Sequence, residues 1–70
     1  MEEMVKIWVQ NLYNEEIDNA TQAISNERLW LKGSATATEQ NSHMENIRRY
    51  EEYIETLEGL KESFILKNGG

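Results

Sequence analysis

Four glutamates in the C-terminal half, Glu51, Glu55, Glu58 and Glu62, come nearest to a chemical site in type and spacing. Intervals of four, three and four put them on one flank of a helix, with Glu45 and Glu52 further round. Such a stripe can dock on a basic partner or imitate the phosphates of a nucleic acid. Paired carboxylates can also exchange protons, but that work needs a concave pocket that shifts pKa values. A solvent-facing helical stripe supplies no such pocket, so no enzymatic activity is expected. The simplest role of the stripe is a solvated face that keeps a small chain in solution.

Other reactive groups are sparse. His43 is the single histidine and the chain has no cysteine, which excludes disulfides, thiolate metal sites and a His-based zinc site. One histidine near an expected helix start reads as an exposed or capping residue. There is no glycine-rich phosphate loop. Arg48-Arg49 is the only basic doublet, and Glu45, Glu51 and Glu52 around it favour ion pairing along the helix over phosphate binding. The sequence thus yields no catalytic residue, no cofactor and no metal ligand.

Composition narrows the partners. Seven Lys and Arg against 13 Asp and Glu give a net charge of −6. An acidic chain is repelled by phosphate backbones and by anionic membrane surfaces, so neither nucleic acid nor membrane is an expected direct partner. No apolar run approaches the roughly 20 residues of a membrane span. The acidic start Met1-Glu2-Glu3 has no signal-peptide pattern after it. Absence of cysteine fits a cytoplasmic location. A hydrophobic content of 39% argues for a folded chain despite 29% charged residues. Seventy residues make one domain at most, with a thin core that buries only about 60% of the unfolded surface. Chains of this size lean on disulfides, metals or association, and only association is left open here.

The elements that would carry these residues are helical. From Glu2 to Lys32, a step of roughly 100° per residue sorts the apolar positions into two adjacent stripes. One is Val9, Tyr13, Ile17, Ala20, Ile24 and Leu31; the other is Val5, Trp8, Leu12, Ala23 and Trp30. Together they span about half the circumference, wider than the roughly 100° that one neighbour covers. Ile7 falls on the polar face. The polar run Asn19 to Asn26 lowers helix propensity, which allows a kink or break near Ser25-Asn26 within one long helix.

Leu31 to Glu39 combines a stop with a start. Lys32 suits a helix C-terminus, and Gly33 offers the left-handed conformation that commonly ends a helix. Thr36-Ala37-Thr38-Glu39 fits a capping box, and Ser42-His43-Met44-Glu45 fits one equally well. The second helix therefore starts either near Ala37, after a short loop, or near His43, after a loop of about ten residues. The loop is placed at about 33–38. The second helix follows over about 39–67, with a frayed tail at 68–70. Within it Ile47, Tyr50, Ile54, Leu57, Lys61 and Phe64 form a heptad seam. Tyr53 and Leu60 widen one edge of that seam; Met44 and Ile65 lie beside the other. Lys61 is expected to reach from the seam to solvent. Gly59 sits on the outer face.

These patterns predict an all-α antiparallel hairpin over 1–70. Its uncovered apolar arc predicts dimerisation into a four-helix bundle. The layout is similar to that of the small plasmid copy-control RNA-binding hairpin dimers, in layout alone and without a shared motif. In general appearance the chain resembles the small acidic helical proteins common in phages and prophages of Gram-positive bacteria. The expected interface comprises Val5, Trp8, Leu12, Trp30, Ile47, Tyr50, Ile54, Leu57 and Phe64. The expected function is self-association and protein–protein contact. The alternative is an acidic inhibitor or nucleic-acid mimic acting through Glu51, Glu55, Glu58 and Glu62. An RNA-binding dimer would instead require Arg28, Lys32, Arg48 and Arg49 to converge.

Overall fold

A computed structural model of the chain describes residues 2–68. Two helices, α1 over Glu3–Gly33 and α2 over Ala37–Lys67, each contain 31 residues. The frayed tail expected at Gly69-Gly70 lies outside the described residues. Asn68 itself closes α2, its N–H donating to the Phe64 carbonyl at 3.1 Å and its Nδ2 to the same oxygen at 2.8 Å.

Of the two capping boxes, the first starts α2. Thr36 is extended, and its Oγ1 accepts from the Glu39 N–H at 3.1 Å. The reciprocal bond of a capping box is shifted by one residue here. Glu39 Oε2 accepts from the Ala35 N–H at 3.3 Å rather than from Thr36. The second box, Ser42 to Glu45, is therefore internal to α2. The link shortens to residues 34–36, which leaves no option but an antiparallel return.

Gly33 does not take the left-handed conformation expected of it. It is the last helical residue, and Ser34 (φ −73°, ψ 131°) leaves directly into extended backbone. Ser34 supplies partners for the carbonyls that a helix end leaves free. Its N–H donates to the Leu31 carbonyl at 3.2 Å and its Oγ to the Trp30 carbonyl at 2.8 Å.

Helix α1 runs unbroken through Ser25-Asn26. The polar run costs a few tenths of a kcal/mol per residue. Ile24 and Glu27, on either side of the suspected break, are both buried. Burying an Ile side chain is worth roughly 1.5–3 kcal/mol, so packing outweighs local propensity.

The seam of α1 repeats at Tyr13, Ile17, Ala20, Ile24, Glu27 and Leu31; that of α2 at His43, Ile47, Tyr50, Ile54, Leu57, Lys61 and Phe64. All of these are buried or half-buried. Intervals alternate between three and four, as in an antiparallel coiled coil. Cross-links fix the alignment: Glu27 meets His43, Glu16 meets Tyr53 and Asn14 meets Lys61. Lys61 is half-buried on the seam, and its Nζ emerges at the surface, where it donates to Asn14 Oδ1 at 2.6 Å across the hairpin. The interior is thin. Ala20, Ile24 and Leu57 are its buried apolar residues, and no side chain among the described residues is completely enclosed. The hairpin measures 52 × 16 × 10 Å, a flat rod with two broad faces.

Candidate functional site

Near the turn, a polar cluster is built into the seam. Glu27 follows Ala20 and Ile24 in the same row of α1 and is only 8% exposed. Its Oε2 lies 2.6 Å from His43 Nδ1 and 3.3 Å from Asn46 Nδ2. A carboxylate oxygen only accepts, so at this distance Nδ1 carries the proton and donates. The Trp30 ring stands 5.8 Å from the imidazole, tilted by 55°. His43 is therefore neither exposed nor a cap. With α2 starting at Ala37 it falls inside the helix and on the seam. The sequence did carry a signal for this cluster: Glu27 interrupts an otherwise apolar row at intervals of three and four, and an acid there needs a partner.

One broad face is apolar. Tyr53 donates from its hydroxyl to Glu16 Oε2 at 3.0 Å, which puts both residues on this side. A shallow groove beside them is lined by Val9, Leu12, Tyr13, Glu16 and Leu57. The second α1 stripe lies here. Val5, Trp8, Leu12 and Trp30 are exposed at 39%, 62%, 43% and 61%. On α2, Tyr53 and Leu60 are exposed on the same flank. Of the expected interface residues, α1 therefore leaves its four at the surface. The five from α2 turn inward instead: Ile47, Tyr50, Ile54 and Phe64 are half-buried and Leu57 is buried.

The opposite broad face is acidic. A groove there is lined by Asn14, Ile17, Glu58, Lys61, Glu62 and Ile65. A second, along the outer side of α2, is lined by Met44, Ile47, Arg48, Glu51, Glu52 and Glu55. Glu51, Glu55, Glu58 and Glu62 are all exposed, and among the described residues none of them forms an ion pair. Ile7, exposed at 51%, occupies the corresponding polar side of α1.

The basic doublet pairs locally. Arg48 reaches Glu45 at 2.6 Å and Glu52 at 3.3 Å, and Arg49 reaches Glu45 at 3.4 Å. The Arg48 hydrogen bond, aided by the charges of both arginines, holds the Glu45 carboxyl below its usual range, and Glu45 raises Arg48 in turn. Two of the four cations that an RNA surface would need are thus engaged within α2. The Tyr53 phenol is pushed above its ordinary value, first by its hydrogen bond to Glu16, then by desolvation and by the Glu16 charge.

No family model, curated protein or solved structure matches this chain. Among the described residues no group of three or more His, Cys, Asp or Glu is arranged to hold a metal, and no helix is long and apolar enough to cross a membrane. What the geometry offers is two chemically distinct faces on one thin rod: an apolar face suited to burial and an acidic face suited to water or to a cationic surface.

Proposed function

We propose that this protein is a non-enzymatic helical hairpin that self-associates, forming a four-helix bundle, and acts through protein–protein contacts. A cytoplasmic setting suits its lack of cysteine. The observation that supports this reading is the stripe of Val5, Trp8, Leu12 and Trp30, which the hairpin leaves at the surface. Two Trp and two aliphatic residues along one helix, in two groups separated by the exposed Asn19 and Asn26, leave apolar surface at both ends of the stripe, of the kind that interaction sites use. Sedimentation equilibrium at micromolar concentration tests it. A species of twice the 8.2 kDa chain mass is expected, and a monomer throughout that range refutes self-association.

A second reading draws on the exposed, unpaired Glu51, Glu55, Glu58 and Glu62. In it the acidic face occupies a basic site on another protein, such as one that binds DNA or RNA. The complex would weaken steeply as salt rises through the Debye-screening range. Reversing two of the four charges should abolish such capture; unchanged capture refutes this reading.

A further inference from the structure

Building on self-association as proposed above, we infer which face is buried and in what orientation: two copies pack apolar face to apolar face with their ends reversed, so that Trp8 of each lies against the partner's Trp30.

Area supports a second copy as the occupant. The hairpin exposes 5371 Å². A folded monomer of this mass is expected to expose about 4,500 Å². The excess, roughly 870 Å², is close to the about 800 Å² that one partner contributes to an interface of standard size. A broad face of the rod, 52 by 16 Å, has about the same area.

Charge selects the face. The acidic stripe lies on one broad side, where a second copy would oppose its own glutamates. The other side carries Val5, Trp8, Leu12, Trp30, Tyr53 and Leu60, and its one acid in the central groove, Glu16, is already engaged by Tyr53.

Register selects the orientation. A two-fold axis along the rod keeps like ends together and sets α1 over the partner's α2. The Glu27–His43 link shows that Trp30 would then sit level with the start of α2, where the exposed positions on the Tyr53–Leu60 flank include the polar Thr38 and Ser42. A two-fold axis across the rod sets α1 over the partner's α1 with ends reversed. Trp8 and Trp30 stand 11 residues to either side of Asn19 in the sequence, so each then meets the other apolar end, and Asn19, an exposed residue, falls on the axis. Burial of the indole rings against each other favours this second arrangement.

The test combines mass and cross-linking on the full chain. Trp8→Glu and Trp30→Glu should each weaken dimerisation by at least roughly 30-fold, as expected for aromatic residues at the heart of an interface. Ile7→Glu, on the other face, should leave it unchanged, and circular dichroism should show all three variants to be helical. The chain has no cysteine, so Asn19→Cys introduces a single thiol. On oxidation it should form a disulfide between copies. A monomeric parent protein overturns both this inference and the reading it rests on. A dimer that survives both Trp substitutions but is lost in Ile7→Glu overturns the face and leaves self-association standing. A dimer that needs both Trp residues, yet forms no disulfide between copies of the Asn19→Cys variant, overturns the reversed orientation alone.

Discussion

Glu27 gives the sharpest test of how this hairpin is held in register. It is the buried charged residue of the structure, 8% exposed, and accepts from His43 at 2.6 Å and Asn46 at 3.3 Å. Hydrogen bonds to a charged group contribute about 1.5–3 kcal/mol when well shielded. Both donors here retain some water contact, the His43 side chain at 23%, and the Asn46 bond is long. The two together are therefore discounted to about 2 kcal/mol, which Glu27→Ala should remove from the fold's stability. Total stability at this length is about 3–10 kcal/mol, so the loss is a large share of it. Glu27→Leu should be close to neutral, because filling a seam position with an aliphatic side chain returns roughly 1.5–3 kcal/mol. A double-mutant cycle with His43→Ala should give a coupling of about 1–2 kcal/mol. Urea denaturation followed by circular dichroism, at fixed chain concentration, reads all three. With a slope of about 1 kcal/mol/M, the Ala variant's midpoint should fall by about 2 M. A midpoint within about 0.5 M of the parent's, or a coupling below about 0.3 kcal/mol, would mean that this cluster does not tie the helices together.

Three further outcomes are expected. Thr36→Ala removes the acceptor of the Glu39 N–H. It should cost about 1 kcal/mol in the same urea experiment, and no change would mean that the cap adds nothing. A Cβ at Gly59 meets nothing within 4 Å. Gly59→Ala should therefore stabilise by about 0.5–1 kcal/mol through helix propensity, and a lowered melting temperature contradicts this. The Tyr53 phenol is held above its ordinary value of 10.0. The neutral form thus favours the fold: the contribution is intact below the ordinary value and is lost as pH rises through the higher folded-state value. Phenolate absorbance should accordingly show one tyrosine titrating late, which Tyr53→Phe removes and Glu16→Gln brings earlier; an unaltered late component in Tyr53→Phe rejects the assignment.

The two helices were legible because their signals are local. Heptad spacing from Ile47 to Phe64 and the capping of the Glu39 N–H by Thr36 each act within a turn or two of chain, and both are present in the structure. The width of α1's apolar arc was equally legible, since it needs only the helical period. Three features were not. Which of two equivalent capping boxes starts α2 depends on how far α1 runs, and the start at Ala37 moved His43 from the expected helix start onto the seam. Gly33 stayed helical, and Ser34, through its N–H and Oγ, supplies partners for the last carbonyls in place of a left-handed cap. Continuity of α1 through Ser25-Asn26 came from burial of Ile24 and Glu27 against α2, a term no local propensity contains.

Short-range spacing and charge set the helical class, the place of the reversal and the surplus of apolar surface on α1. The alignment of the two helices came instead from their docking. That alignment made Glu27, His43 and Asn46 partners, carried Lys61 to Asn14, and segregated the apolar stripe of α1 from the acidic stripe of α2 onto opposite faces. Those outcomes depend on contacts between residues 16 to 47 positions apart, and only docking the helices in one register sets them.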